Sequence, residues 1–432
     1  MDFSASDIER TGGETVGLPW SEAGVKRSVW LDISRLVWRA RHLTPSGIDR
    51  VELAYARHFL DHGSRTARFI ARINAIGGRE LDRAAVRDFL DGLDGDWSDS
   101  RGARPLASIA RLLSRSRAAP NPETGITIIP SHQNWHRAAW LKQRRGRGGR
   151  LVLFLHDAIP SDYPEYARAG GARRHDERLT HALQMADALI VNSRATGDAL
   201  ARFARAKGHP LPRLCVASLG TRVGRAAPSV SLPEAPYFLC VGTIEPRKNH
   251  MLLLLLWRQM AEAGIADLPK LVIVGRRGWE NEQVVDLLDR SRALRGLVEE
   301  RNDIGDAELW ALMAGARALL MPSFAEGYGM PVAEALAAGT PVIASDLPVY
   351  REVAAGIPEF RNPLDGPGWQ SAILDYAQAQ SPRREAQLAR LRAWRPPTWA
   401  DHFRRVEGLL EELDRGPAIS PRCACSRTSS VP

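Results

Sequence analysis

Short apolar runs alternate along the chain with longer stretches in which apolar residues recur every three or four positions. Short apolar runs between polar segments are typical of buried parallel strands, and the wider spacing is typical of helices that pack on a sheet. The pattern therefore predicts an α/β fold. The predicted strands cover residues 29–33, 67–73, 126–129, 151–155, 188–192, 214–218, 237–242, 271–275, 318–322 and 341–345.

Polar capping residues mark where some of the predicted helices begin. Ser46 is followed three residues later by Asp49, which is close to a capping box, and apolar residues with helical spacing come next. Ser193 is the predicted N-cap of a helix that follows the strand at 188–192. Further helical patterns cover residues 82–120, 171–187 and 398–414.

One stretch combines a strand, a glycine-rich loop and a short helix. The apolar run 318–322 leads to the sequence Glu-Gly-Tyr-Gly at residues 326–329, where two glycines let the backbone bend and a ligand come close. Pro331 suits the first turn of a helix, and Gly339 suits the position just after its end. The free N–H groups at the start of this helix predict a phosphate site in a cleft above the strand ends.

Two carboxylates accompany this predicted phosphate site. Glu326 lies on the loop and Glu334 on the helix, eight positions later. With 50 acidic residues in 432, about one acid in nine has another acid at that distance by composition alone, so the spacing counts only together with the strand, loop and helix. Carboxylates accept hydrogen bonds from hydroxyls, and a phosphate between two polyols is a sugar nucleotide.

The stretch resembles the Glu-x7-Glu signature of retaining, nucleotide-sugar-dependent glycosyltransferases of family four, and the resemblance extends from about Ser28 to about Leu413. It implies the GT-B architecture, in which two Rossmann-like domains face each other across a cleft. The implied division is a flexible leader (1–27), an N-terminal domain (28–221), a linker (222–236), a C-terminal domain (237–395), a helix that crosses back to the first domain (396–415) and a disordered tail (416–432).

The resemblance also implies the roles of individual residues. Glu326 would hold hydroxyls of the donor sugar, His156 would orient that sugar, and Lys248 would stabilise the leaving diphosphate, so these three are the predicted catalytic residues. Thr243 stands where family members commonly carry an arginine, and Arg247 is predicted to supply the missing charge. The predicted donor-binding residues are Gly47, Thr243, Arg247, Lys248, Gly327, Tyr328, Gly329 and Glu334, the last for the ribose.

The resemblance is strongest to bacterial mannosyl- and rhamnosyltransferases of surface-polysaccharide assembly, through residues 245–249 and 156–157. It implies transfer of a sugar, with GDP-mannose as the preferred donor, to a saccharide or polyprenyl-pyrophosphate-linked acceptor. The departing phosphate would take the acceptor proton, and neither a metal nor another cofactor is expected. A sugar-nucleotide epimerase of the same fold and a non-catalytic scaffold stay open as alternatives.

Length and composition agree with a soluble two-domain protein. The chain has 432 residues, of which 44% are hydrophobic and 25% charged, and no apolar run approaches the 18 residues of a membrane span. The N-terminus lacks a signal-peptide core, and the four cysteines lack metal-ligand spacing, so we expect a cytoplasmic protein. A net charge of +9 predicts attraction to anionic partners, although nothing resembles a nucleic-acid-binding module.

Two charged segments each allow two interpretations. The basic cluster, formed by Lys142, Arg144, Arg145, Arg147 and Arg150, is either a solvated loop or a contact with anionic lipid or a pyrophosphate-linked acceptor. The second interpretation would place the protein peripherally on the inner face of the membrane. Asp94 and Asp96 match the Asp-x-Asp metal motif of another glycosyltransferase fold, but the Gly- and Ser-rich surroundings favour a solvated turn without metal.

Overall fold

The structure is a computed structural model that describes residues 26–42, 44–73, 77–99, 106–224 and 232–415. Most of the predicted leader, part of the predicted linker and all of the predicted tail lie outside the described residues. Among the described residues, no helix has the length and apolar character that a membrane span requires.

The N-terminal half folds around an eight-stranded sheet in the order β4-β3-β2-β1-β5-β6-β7-β8. The strands are parallel except that β3 runs antiparallel to both β2 and β4. The six residues of β6 are all buried, because helices cover both faces of the sheet. The strands are β1 (Val29–Asp32), β2 (Ala67–Ile73), β3 (Gly77–Leu81), β4 (Arg117–Ala118), β5 (Ile126–Ile129), β6 (Arg150–Leu155), β7 (Ala188–Val191) and β8 (Arg213–Val216).

The helices of this half connect the strands and carry the caps that the sequence predicted. At Ser46 the capping box is complete, since Ser46 and Asp49 exchange side-chain-to-backbone hydrogen bonds. The Ser193 side chain accepts a hydrogen bond from the Thr196 N–H, as an N-cap does. The helices are α1 (Ser34–Arg39), α2 (Gly47–Asp61), α3 (Arg83–Asp99), α4 (Leu106–Ser114), α5 (Ala138–Arg145), α6 (Ile159–Asp162), α7 (Gly171–Met185) and α8 (Arg194–Ala206).

The C-terminal half contains a six-stranded, fully parallel sheet in the order β11-β10-β9-β12-β13-β14. Its strands are β9 (Tyr237–Val241), β10 (Lys270–Val274), β11 (Val298–Arg301), β12 (Leu319–Met321), β13 (Val342–Ser345) and β14 (Glu359–Arg361). Its helices are α9 (His250–Glu262), α10 (Glu282–Arg290), α11 (Asp306–Gly315), α12 (Met330–Ala337), α13 (Pro348–Val353), α14 (Gly366–Ala377), α15 (Pro382–Leu391) and α16 (Trp399–Arg415).

The last helix, α16, packs on the N-terminal half. The His402 ring lies 3.2 and 3.1 Å from the carbonyl oxygens of Ala217 and Ser218 and 2.9 Å from the Tyr55 hydroxyl. Near the other end of α16, the Asp414 carboxylate lies 2.7 Å from the guanidinium of the buried Arg65. These polar contacts, together with the buried apolar side chains of α16, hold α16 on the N-terminal half.

The ten strands predicted from apolar runs are confirmed, with boundaries that differ by one or two residues. Four strands were missed, namely β3, β4, β11 and β14. Three of these lie at sheet edges and β3 lies next to an edge, where one face or side is open and polar residues are tolerated. The sequence Val-Glu-Glu-Arg of β11 illustrates why the apolar pattern did not reveal them.

The predicted solvated turn around Asp94 and Asp96 is wrong. Both aspartates lie on α3, which continues to Asp99 because Phe89, Leu93 and Trp97 on one face of the helix are buried. Asp94 is exposed on the opposite side, and Gly95 is accommodated within the helix. The Asp-x-Asp sequence therefore lies within a helix and does not form a turn.

The basic cluster at residues 142–150 is not a continuous surface patch, so the solvated loop is wrong for most of it, and contact with an anionic membrane stays a prediction. Arg144 is fully buried, with its guanidinium 4.6 Å from the centre of the Trp140 ring. Arg145 makes a two-bond contact with the buried carboxylate of Asp187, and the largely buried Arg150 lies 3.8 Å from it. Lys142 and Arg147 are exposed. The aliphatic stems of arginines pack well against apolar groups, so an arginine can be buried. A run of basic residues in the sequence does not show which of them are buried.

Candidate functional site

A cavity of about 640 Å³ lies between the two halves, at the carboxyl ends of both parallel sheets. Open α/β sheets bind ligands at this edge because the loops and helix N-termini converge there. The helices α2 and α12 both begin at the cavity. A Cβ atom added to Gly47 would lie 3.2 Å from the sulfur of Met330, so the first turns of these two helices come close together across the cleft.

The loop between β12 and α12 is shaped by its two glycines. Gly329 is the N-cap of α12 with a φ of 84°, and a Cβ atom there would lie 2.3 Å from the Tyr350 ring. A Cβ atom on Gly327 would lie 2.6 Å from the carbonyl oxygen of His156 in the other half. The loop can therefore approach the N-terminal half only with glycine at position 327.

Glu326 is buried among polar partners on this loop. Its carboxylate lies 2.5 Å from the Lys248 ammonium and 2.9 Å from the Arg247 guanidinium, and it accepts hydrogen bonds from the hydroxyls of Ser323 (2.9 Å) and Tyr350 (3.2 Å). Although burial raises the pKa of Glu326, the adjacent Lys248 and Arg247 lower it to about 2. The group is therefore a fixed carboxylate at neutral pH.

Lys248 and Arg247 reach Glu326 from the turn after β9. Arg247 lies between two carboxylates, because its guanidinium is also 2.7 Å from Glu245. Burial lowers the pKa of Arg247, but Glu326 and Glu245 raise it by more, so the arginine stays charged. Thr243 is exposed and lines the cavity at the position where the sequence departs from the resembled family. Whether Arg247 replaces the missing arginine stays a prediction.

His156 follows β6 and lies on the cavity wall. Its Nε2 is 2.8 Å from the carbonyl oxygen of Pro130, and its backbone carbonyl accepts a hydrogen bond from Asn192 (2.8 Å). Burial lowers the pKa of His156 to about 4, so the ring is neutral at pH 7. Because a carbonyl oxygen only accepts, Nε2 carries the proton and Nδ1 keeps a lone pair that can accept a hydrogen bond.

Glu334 lies on α12 and lines the same cavity. Burial raises its pKa, and two arginines, Arg50 and Arg222, oppose this rise while Asp306 adds to it. Both arginines contact Asp306, the first residue of α11. Arg50 comes from α2 in the other half, so the surroundings of Glu334 are completed across the cleft.

Tyr328 has a largely structural position. Its hydroxyl donates a hydrogen bond of 2.9 Å to the carbonyl oxygen of Leu219, and its side chain is buried. Tyr328 lines the cavity, but its polar atom is directed to the N-terminal half. It therefore anchors the loop, and its hydroxyl already has a protein partner.

The structure brings all the predicted site residues to one cavity. Its lining includes Gly47, His156, Thr243, Arg247, Lys248, Glu326, Gly327, Tyr328, Gly329 and Glu334. The sequence did not point to Arg50, Glu245 or Tyr350. Only Glu245 had a local signal, since it directly precedes the Pro-Arg-Lys turn. In the part of the chain that the structure describes, no group of three or more His, Cys, Asp or Glu side chains is arranged to hold a metal ion.

The two halves of the chain match two described families. Residues 77–213 match Glycosyltransferase Family 4, and residues 227–356 match Glycosyl transferases group 1. The first match includes the strands β3 to β7 and reaches the start of β8, and the second includes β9 to β13.

Two curated relatives and one solved structure illustrate these similarities. The serotype-specific mannosyltransferase WbdA of Escherichia coli is 31% identical over 248 residues, which are 53% of this chain and 30% of that protein. The O-antigen chain mannosyltransferase B of Escherichia coli is 28% identical over 253 residues, which are 55% of this chain and 64% of that protein. The chain thus spans less than two thirds of the length of each relative.

The solved structure is that of HepE from Anabaena in complex with UDP-glucose. It superposes with a TM-score of 0.56 at 15% sequence identity, over 89% of this chain and 99% of that one. At this identity the likeness concerns the fold, and it confirms two Rossmann-like domains that face each other in the GT-B arrangement.

Proposed function

Because the chain belongs to the GT-B glycosyltransferases of family 4 and group 1, we propose that it transfers a hexose from a nucleoside diphosphate sugar to an acceptor hydroxyl, with retention at the anomeric carbon. The observation that carries this proposal is the position of Glu326, a buried carboxylate that Lys248 and Arg247 hold at the cavity, on the loop before α12. A carboxylate can accept hydrogen bonds from the hydroxyls of a sugar, and the cations beside it can bind the diphosphate to which that sugar is joined.

The leaving group is the part of the donor that gains negative charge in the transition state. Lys248, Arg247 and the backbone N–H groups at the start of α12 are already fixed near the loop at residues 326–329. Preorganised donors of this kind stabilise developing charge without reorganisation, and this can account for several kcal/mol of the barrier, or roughly 10²–10³ in rate per group. We propose that they act without a metal, and that the departing phosphate takes the acceptor proton.

Two further residues would position the donor. His156 offers the lone pair of Nδ1 to a hydroxyl of the donor sugar, because its Nε2 proton is engaged by Pro130. Glu334 would accept hydrogen bonds from the ribose, since it lies one helix turn beyond the phosphate-binding start of α12. Glu326 would bind sugar hydroxyls at the other end of the diphosphate.

The similarity to two mannosyltransferases supports mannose as the transferred sugar and GDP-mannose as the donor. For the acceptor we propose a saccharide of a growing surface polysaccharide, carried on a polyprenyl pyrophosphate lipid. Such a protein would work in the cytoplasm beside the membrane that carries its acceptor.

The test measures GDP release from GDP-mannose, with and without a mannoside acceptor, for the wild type, Glu326→Gln and Glu123→Gln. Glu123 is exposed and distant from the cavity lining, so it is the matched control. We expect acceptor-dependent release that Glu326→Gln lowers by about 10²-fold and Glu123→Gln leaves unchanged. Conversion of GDP-mannose to an isomeric GDP-sugar, without GDP release and without need of an acceptor, would indicate an epimerase. Equal rates in all three proteins would contradict the role of Glu326.

A further inference from the structure

Glu334 and three further charged side chains, Arg50, Arg222 and Asp306, form a cluster that crosses the cleft. Arg50, on the first turn of α2, lies 2.5 Å from one oxygen of Asp306 and 3.3 Å from the other. Arg222, in the segment after β8, contacts the same carboxylate. Arg50, Asp306 and Glu334 all line the cavity. Arg50 belongs to the N-terminal half of the chain, and Asp306 and Glu334 belong to the C-terminal half.

This arrangement makes the charge state of Glu334 depend on the N-terminal half. Burial raises the pKa of the Glu334 carboxyl, Arg50 from α2 and Arg222 from the segment after β8 lower it, and Asp306 from α11 raises it. Arg50 itself faces Asp306, Glu334 and, from α3, Asp94. Loss of Arg50 would leave Arg222 to lower the pKa of Glu334 against burial and Asp306, which both raise it.

We propose that Arg50 is a positioning residue, which docks the first turn of α2 on Asp306 and holds Glu334 as a charged hydrogen-bond acceptor for the nucleoside end of the donor. The proposal rests on the proposed function, because it takes Glu334 to bind the ribose. It adds Arg50 to the residues of the N-terminal half, Gly47 and His156, that are predicted to act on the donor.

Two substitutions break the same ion pair but have opposite electrostatic effects on Glu334. Arg50→Gln removes an attractive charge, so protonation of Glu334 should begin at higher pH. Asp306→Asn removes a repulsive charge and leaves both arginines to Glu334, so protonation should begin at lower pH. A residue that only joined the two halves mechanically would produce the same change in both variants.

The experiment measures the dissociation constants of GDP and UDP by calorimetry between pH 4.5 and 8, in the full chain. We expect Arg50→Gln to weaken nucleotide binding about tenfold at pH 7, the effect of one favourable interaction of about 1.4 kcal/mol. The acidic limb of the profile is the pH range in which nucleotide affinity falls on acidification. We also expect Arg50→Gln to move this limb to higher pH and Asp306→Asn to move it to lower pH. Arg50→Lys keeps the charge and should keep the wild-type limb.

Arg57→Gln is the matched control, because Arg57 lies on the same helix and pairs with the exposed Asp91 outside the cavity lining. It should change neither the affinity nor the limb. Limbs that move in the same direction in Arg50→Gln and Asp306→Asn, or that do not move, would overturn the proposal while leaving the proposed function intact. A wild-type protein that binds neither nucleotide would overturn the proposed function, and this proposal with it.

Discussion

At the scale of single residues, the ion pairs of Glu326 dominate the site. A carboxylate with a lowered pKa in the folded protein contributes stability above its ordinary pKa of 4.5, and that contribution is lost as the pH falls towards about 2. The difference of about 2.5 pKa units corresponds to about 3 kcal/mol. The contacts that hold Glu326 at the cavity therefore also stabilise the folded protein.

The first prediction follows from this pKa. Glu326→Gln should lower the free energy of unfolding by about 3 kcal/mol at pH 7, and the difference from the wild type should shrink as the pH falls from 4.5 to 2. Urea unfolding at a series of pH values measures this. A difference that is independent of pH would show that Glu326 is not held as a low-pKa carboxylate.

At the scale of elements, the loop before α12 depends on close approach to the other half. Gly327 accepts hydrogen bonds through its carbonyl from the hydroxyls of Ser193 (3.3 Å) and Thr196 (3.1 Å), at the start of α8. The same α8 N-terminus receives the Glu352 carboxylate, 2.8 Å from the Arg194 N–H. These contacts hold the loop at residues 326–329 and α13 against the N-terminal half.

The second prediction concerns this contact. Gly327→Ala should destabilise the protein by about 1–3 kcal/mol and lower turnover, because the new methyl group meets backbone atoms of His156 that cannot move aside. Thermal unfolding and the transfer assay measure the two effects. Gly408→Ala on α16 is the control, since nothing lies within 4 Å of its added Cβ atom, and it should be neutral or slightly stabilising. Wild-type behaviour of Gly327→Ala would mean that the close approach is not needed.

Most of the strands that sequence patterns predicted are largely buried, although the partly exposed edge strand β8 was predicted as well. The strand β12 is apolar throughout and β6 is apolar after Arg150, so their residues alone revealed them. The helix α3 was misjudged at its polar end, because its buried face contributes only one residue per turn there. Edge strands such as β14 owe their existence to backbone pairing with a neighbour, which no local pattern contains.

For the site, sequence succeeded with residues that lie in one motif and failed with pairs that form between distant segments. Glu326, Gly327, Gly329 and Glu334 share one strand-loop-helix unit and were all predicted. Arg50 and Asp306 are 256 positions apart, and their contact exists only because the two halves face each other. The solvated-loop interpretation of the basic cluster was wrong for the same reason, since the partner of Arg145, Asp187, lies 42 positions away.

At the scale of the whole molecule, the third prediction separates fold stability from surface charge. Arg145→Gln should lower the free energy of unfolding by about 1–3 kcal/mol, because it leaves the buried Asp187 without its two-bond partner. The double variant Lys142→Gln and Arg147→Gln alters only exposed residues and should stay within about 0.5 kcal/mol of the wild type. Chemical unfolding compares them.

Sedimentation with anionic vesicles provides the matching readout. The double variant should bind such vesicles as the wild type does, since Lys142 and Arg147 do not form a patch with the engaged arginines. Loss of vesicle binding in the double variant, with unchanged stability, would support the membrane-contact interpretation of the basic cluster.

The central claim is retention of configuration in a transfer driven by fixed protein charges. The most direct measurement is NMR spectroscopy of the linkage formed from GDP-α-mannose and a mannoside acceptor, in the presence and absence of EDTA. We predict an α-linked product that forms at the same rate under both conditions, because Lys248, Arg247 and the start of α12 supply the positive charge. A β-linked product, or activity that requires a divalent metal ion, would contradict the account.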